Sequence, residues 1–219
     1  MITLLLTSTV YVHNNISWLK QIDPNQRLQM YLEAIENWLL NTDLSIVVID
    51  NSGYKYEELI KKYSYLYNRL EIISFTYDKI PINDRKFLQS KRAKGHHELY
   101  AINYAINNSK LIKNTQYLIK LTARYFIPNF QNIIKNLCIE NYEVISQSKK
   151  CPWLKDIYRC EVYGCHKSKI QDIFKFPSNY DELEQEITNR LNKYKKGYFP
   201  IMKLNNPILQ GCGKYMTEL

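Results

Sequence analysis

Two cations and two carboxylates stand at places where this sequence turns from apolar to polar, and together they set the chemistry to look for. Lys120 lies inside the apolar run Tyr117-Leu-Ile-Lys-Leu121, and Arg124 follows in Thr122-Ala-Arg-Tyr-Phe-Ile-Pro128. A lysine within an apolar run must reach water, a ligand or an acid, because burying an unpaired ammonium is expensive. A guanidinium followed by Tyr125-Phe-Ile127 is poorly placed for a generic solvated face, and its planar fork matches phosphate oxygens in pairs. A structural salt bridge is its other use. Glu98 and Glu161 are the acids suited to general base work. Each has a plain structural reading as well: Glu98 as favourable charge at a helix start, Glu161 as the partner of Arg159 or of a lysine. The cations point to an anionic ligand.

These groups need elements that bring them together. Residues 2–9 and Leu44-Ser-Ile-Val-Val-Ile-Asp50 read as buried strands, and so does the run from Tyr117 to Leu121. In a parallel α/β sheet the carboxyl ends of such strands form the ligand edge. Thr7 and Ser8 end the first strand, and Asp50 and Asn51 end the second, so all four are candidates for nucleotide contact. Hydroxyls that cap a turn, and an Asx turn closed by Gly53, are the alternatives. Asp23-Pro24-Asn25-Gln26 opens a helix with a cap residue, proline at the first position and a capping-box Gln. A second, tyrosine-rich helix is expected over roughly 55–67, and a third strand over 70–75. Residues 77–97 read as a long charged loop, with a helix starting at Glu98 and Lys94 and Gly95 ahead of it as a phosphate-receiving turn. Further on come a helix from Asn129, a strand over 142–146 and a strand over 158–164 that carries Arg159 and Glu161. A short helix from His166, a capping box at Asp181-Glu-Leu-Glu184 and a strand near 199–204 follow. Gly211 and Gly213 around Cys212 imply a close backbone approach.

Composition bounds the rest. With 219 residues, 45% of them hydrophobic, the chain can bury one sizeable core. Lys+Arg 30 against Asp+Glu 21 gives a formal charge of +9, which favours a phosphorylated substrate, nucleic acid or an acidic membrane face with peripheral association. The apolar start, Met1 to Val10, lacks a basic leader region and is too short to span a bilayer, so a cytoplasmic protein is expected. The odd count of cysteines, Cys 5, argues against a disulfide scaffold. Cys160-x4-Cys165-His166 does not match structural zinc spacing, so no metal ligands are assigned. Neither a Gly-x-Gly-x-x-Gly nor a Gly-x-x-x-x-Gly-Lys-Ser/Thr run is present, which excludes the usual dinucleotide and phosphate-loop signatures. With no concentrated basic helix face and no recognised module, stable nucleic-acid binding is not expected. A basic, non-catalytic nucleic-acid-binding or scaffold protein is the alternative class.

The chain resembles small, mostly uncharacterised glycosyltransferase-like proteins of polysaccharide gene clusters and large DNA viruses, with a GT-A-like fold. The resemblance rests on Asp23-Pro24 with Arg27, Val48-Ile-Asp-Asn-Ser-Gly53, Lys94 to Glu98, Ile119-Lys-Leu-Thr-Ala-Arg-Tyr125, Glu161-Val-Tyr-Gly164 and the glycine-containing tail. It implies a single α/β Rossmann-like domain over 1–219 with a mainly parallel sheet flanked by helices. Residues 1–125 would be the nucleotide-binding half and 126–219 the acceptor-side half with a carboxyl-terminal extension. The implied partners are a UDP-, GDP- or dTDP-linked sugar and a glycan or small-molecule acceptor. GT-A enzymes typically hold a divalent ion with Asp-x-Asp, whereas the comparable strand end here reads Leu121-Thr-Ala-Arg124. The resemblance therefore implies either that Lys120 and Arg124 neutralise the leaving diphosphate without a metal, or that Asp50, Glu98 or His97 supply ligands. Under it, Glu161, Arg124 and Glu98 are the expected catalytic residues. Thr7, Ser8, Asp50, Asn51, Lys94, Lys120 and Arg124 are the expected donor-binding residues.

Overall fold

The computed structural model describes residues 1–12, 21–90, 94–151, 156–177, 182–209 and 215–219. Strand β1 (Ile2–Ser8) is followed by helix α1 (Pro24–Asn41), strand β2 (Ser45–Asp50), helix α2 (Glu57–Lys62) and strand β3 (Leu70–Ser74). Helices α3 (Ile82–Ser90), α4 (Lys94–Asn108) and α5 (Lys110–Lys113) lead into strand β4 (Tyr117–Thr122) and helix α6 (Phe130–Leu137). The remainder is β5 (Val144–Gln147), β6 (Val162–His166), α7 (Ile170–Ile173), α8 (Leu183–Leu191), β7 (Lys196–Phe199), β8 (Lys203–Leu209) and β9 (Tyr215–Glu218).

Among the described residues seven strands make one sheet in the order β3-β2-β1-β4-β6-β5-β7, and β8 pairs with β9 separately. β3, β2, β1 and β4 are mutually parallel, and β7 runs parallel to β5. β6 is antiparallel to both of its neighbours. The sheet is thus mainly parallel, as expected. β1 and β2 sit inside it with apolar residues on both faces, which is why they read as unbroken hydrophobic runs. One face carries Leu4, Leu6, Ile46, Val48 and Ile119 under α1 and α6, and Trp38 is fully buried there. The other carries Leu5, Val47, Leu118 and Tyr163 under α4, α7 and α8.

Local chemistry accounts for the start of α1. Asp23 accepts from the backbone N–H of Asn25 at 2.9 Å and of Gln26 at 3.5 Å, with Pro24 in the first turn. Several expectations need correction. The helix over 55–67 breaks into α2 and a single 3-10 turn at Ser64–Leu66; Tyr63, Tyr65 and Tyr67 give it little intrinsic helix preference. The expected loop over 77–97 is largely helical. A 3-10 turn spans Tyr77–Lys79, α3 follows Pro81, and α4 begins at Lys94, so Glu98 lies within the helix rather than at its start. Leu88, buried in the core, explains why α3 is held. The strand expected over 158–164 starts only at Val162, so Arg159 and Glu161 precede it. The tail forms β7, β8 and β9 rather than one strand. Asp181 and the Gly211-Cys212-Gly213 run lie outside the described residues.

Gly164 marks the tightest crossing in the sheet. A Cβ there would lie 2.5 Å from the Leu118 carbonyl oxygen and 3.0 Å from the Ile119 Cα, both fixed backbone atoms. Gly164→Ala is expected to destabilise the fold by about 1–3 kcal/mol through overpacking. A lowered urea midpoint with an unchanged slope is the expected reading, and an unshifted midpoint would show that β6 can move aside.

Candidate active site

Strand register decides which side chains meet. Leu5 pairs with Lys120 and Thr7 with Thr122 across β1 and β4, while Lys120 pairs with Tyr163 across β4 and β6. Directly paired residues share a face. Thr7, Lys120, Thr122 and Tyr163 therefore line one face near the carboxyl ends of β1 and β4, and extending the antiparallel register one residue sets Glu161 beside Thr122. Because β6 runs the opposite way, its amino end reaches the same edge. α4 packs over β1 and β2 and brings Glu98 to that edge.

Lys120 is 1% exposed and its ammonium lies 2.7 Å from Glu98 Oε1. It also donates to the Cys160 carbonyl at 2.9 Å and lies 5.6 Å from the centre of the Tyr163 ring. The Thr7 hydroxyl donates to the same Glu98 oxygen at 2.7 Å. Burial pushes the Glu98 carboxyl up, but the Lys120 charge and the Lys120 and Thr7 hydrogen bonds outweigh it and hold the group below its ordinary value of 4.5. Three residues selected from the sequence thus form one network. Lys120 faces inward, so it holds Glu98 rather than meeting solvent directly.

Arg124 stands just beyond β4. It donates to the Leu209 carbonyl and to the Tyr125 hydroxyl, each at 3.3 Å, and its buried Nε has no partner among the described residues. Burial works against its charge, but Tyr125, Tyr31 and Glu98 more than compensate and raise its pKa. Burial drives the Tyr125 hydroxyl up to about 12 despite Arg124, with Glu161 and Glu98 adding to the rise. Glu161 meets Arg159 at 3.9 Å, and its second oxygen is buried without a hydrogen-bond partner among the described residues. Glu184, at the start of α8, joins this group. Burial raises its pKa, with Glu161 and Glu182 adding to the rise and Lys94 opposing it. In the sequence Glu184 is visible only as a capping-box acid, and its place beside Glu161 depends on α8 packing against Gly95.

Ser8, Asp50 and Asn51 form a separate network. Asp50 is fully buried, and both its oxygens accept from the protein. Oδ1 receives the Ser52 N–H and hydroxyl at 2.8 and 2.6 Å and the Tyr54 N–H at 3.1 Å. Oδ2 receives the Ser8 hydroxyl at 3.0 Å and the Val10 N–H at 3.2 Å. The carboxylate braces the β1 and β2 turns. Asn51 accepts from the Thr9 hydroxyl at 2.6 Å. Arg27 donates to the carbonyls of Thr9 and Gln21 and to the Tyr31 hydroxyl, tying α1 to the end of β1. Lys94 is exposed on the first turn of α4.

The divalent ion implied by the GT-A resemblance does not fit the residues at the end of β4. Where two aspartates would stand there are Thr122, the buried Ala123 and the guanidinium of Arg124, and the nearby Glu98 oxygen already serves Lys120 and Thr7. Among the described residues no group of three His, Cys, Asp or Glu side chains is placed to hold a metal.

Comparison with known proteins gives a fold. The apo glycosyltransferase GlyE of Streptococcus pneumoniae TIGR4 is 12% identical with a TM-score of 0.51, over 89% of this chain and 44% of its own. A protein of Desulfovibrio desulfuricans G20 proposed to be a nucleotide-diphospho-sugar transferase is 11% identical, TM-score 0.48, over 91% of this chain and 79% of its own. S. aureus TarS is 9% identical, TM-score 0.48, over 89% of this chain and 34% of its own. The chain therefore spans less than half the length of GlyE and of TarS. No protein-family model and no curated protein matches the sequence. The fold is a single α/β domain of GT-A-like, Rossmann-like architecture.

Removing the buried cation tests the network. Lys120→Met is expected to destabilise the protein by about 2–4 kcal/mol at neutral pH, somewhat under the usual figure for a broken buried pair because Glu98 keeps partial contact with solvent. In the parent protein the Glu98 carboxyl is depressed, so its contribution is full above the ordinary carboxylate range and fades as pH falls through the depressed value. Without Lys120 the buried carboxyl should protonate more readily, and the deficit should narrow on acidification. Urea midpoints measured from about pH 7 to about pH 4 check this, and a deficit independent of pH would mean that Lys120 does not act on Glu98.

Proposed function

We propose that this chain is a glycosyltransferase that moves a sugar from a nucleoside-diphosphate donor, UDP-, GDP- or dTDP-linked, to a hydroxyl of a glycan or other acceptor. The observation that carries the reading is the gathering of Thr7, Glu98 and Lys120, with Glu161 and Arg124 alongside, where β1 and β4 end. Ligands of open α/β sheets bind at that edge, and the GT-A-like fold supports a nucleotide-sugar donor.

In this reading Arg124 meets the diphosphate and Lys94 adds charge from the first turn of α4. Lys120 contributes from inside by fixing Glu98. The acceptor hydroxyl oxygen bonds to the anomeric carbon as the bond from that carbon to the phosphate oxygen breaks. The electron pair leaves with the diphosphate, whose charge Arg124 offsets, and the hydroxyl proton passes to Glu161. The buried, unpartnered Glu161 oxygen suits a base that waits for a substrate donor.

A thermal-shift panel of UDP, GDP, CDP and dTDP with their sugars, each with and without manganese, tests the reading. Stabilisation by one nucleotide, indifferent to manganese and lost in Arg124→Ala, is expected. Glu161→Gln should lower turnover roughly 100-fold or more while leaving donor stabilisation in place. A flat panel, together with nucleic-acid affinity that falls steeply with salt, would instead assign the +9 charge to a nucleic-acid partner.

A further inference from the structure

We infer that the groove between α1 and the β8–β9 pair binds an uncharged saccharide. It encloses about 300 Å³ and opens beside Arg124. Its walls are built from short polar side chains, with Gln26, Glu33 and Asn37 on α1 facing Asn205 and Asn206 on β8. Each amide offers donors and an acceptor at one end, which suits hydroxyl groups that both give and receive hydrogen bonds. Ala34, Phe126 and Ile208 contribute apolar surface, the counterpart of the C–H face of a pyranose ring. Tyr215, also on the wall and 72% exposed, adds an amphipathic ring.

Asn206 Nδ2 donates to Glu33 Oε1 at 2.7 Å, linking β8 to α1. That bond leaves the Asn206 carbonyl oxygen and the second Glu33 oxygen without a protein donor among the described residues, so both can accept from a ligand. Charge narrows the ligand class further. The charged side chains on the described wall are Glu33 and Arg124, of opposite sign, although the whole chain carries +9. The excess of lysine lies elsewhere. An acidic polymer would meet a single cation on the described wall, Arg124, set against the Glu33 carboxylate, whereas a hydroxyl-rich, neutral ligand needs none. That the saccharide is the acceptor rests on the transferase reading, through Arg124, which the groove shares with the reacting edge.

The full chain should be titrated, by ligand-observed NMR, with uncharged oligosaccharides of glucose, galactose and N-acetylglucosamine and with acidic oligogalacturonate. Asn206→Ala and Gln26→Ala are the matching variants. Both replace exposed side chains, and an unchanged melting temperature verifies their fold. The expected result is binding of an uncharged saccharide that weakens roughly five- to tenfold in each variant, the loss of about one hydrogen bond. No binding across the uncharged set, tighter binding of the acidic sugar, or variants that bind as the parent does would overturn the inference. Saccharide binding beside a flat nucleotide panel would leave the groove standing and sink the transferase reading.

Discussion

The ion pair between Lys120 and Glu98 is the constraint on which the carboxyl-end edge of the sheet depends. Lys120 sits on the central strand β4 with no exposed route outward, so its charge has to be met inside. Glu98 supplies the opposite charge, Thr7 donates to the same oxygen, and the Cys160 carbonyl accepts a further hydrogen bond from the ammonium. Those contacts draw on β1, β4, α4 and the segment before β6. An α4 displaced by one residue would carry Glu98 off this face and leave a buried ammonium unpaired, a heavier penalty than most packing errors. The pair thus fixes the register of a helix against a sheet, and with it the floor on which a substrate would rest.

The neighbouring junction is organised by the opposite strategy. Among the described residues Asp50 has no cation in direct contact, and it accepts from hydroxyl and backbone donors of both strand ends. The turn after β2 is thus tied to Asp50 by three hydrogen bonds, while Arg27 and Tyr31 hold the turn after β1 against α1. Between the two junctions the strand ends are locked before any ligand arrives, and a site assembled in advance loses less on binding.

Much of this was legible in the sequence, where the signal was local. β1, β2 and β4 are buried on both faces and appear as continuous apolar runs, and Asp23-Pro24 announces α1 unaided. Lys120 drew attention because it interrupts such a run. What escaped depends on distant partners. Lys94-Gly-His-His97 looks like a loop because glycine and histidine are weak helix formers, yet at Gly95 a Cβ would fall 2.5 Å from that of Leu183. Glu161 appeared late on a strand, since Tyr158, Val162 and Tyr163 favour strands; the reversed direction of β6, which brings it to the active edge, has no local signature. Glu184 acquires meaning only through its neighbours, and the turn contacts of Asp50 are ones that composition cannot rank.

The sheet ends on β7, and the residues there have a consequence for how copies of this chain can meet. Lys196 lies over the rings of Tyr158 and Tyr198, whose hydroxyls are 3.2 Å apart. Another strand pairing with that border would have to accommodate a charged side chain already held against two aromatic rings. A lysine on an outermost strand is a common guard against such additions. Lateral growth of the sheet into a shared, intermolecular one is discouraged at this border, and any higher assembly would have to be built through other surfaces.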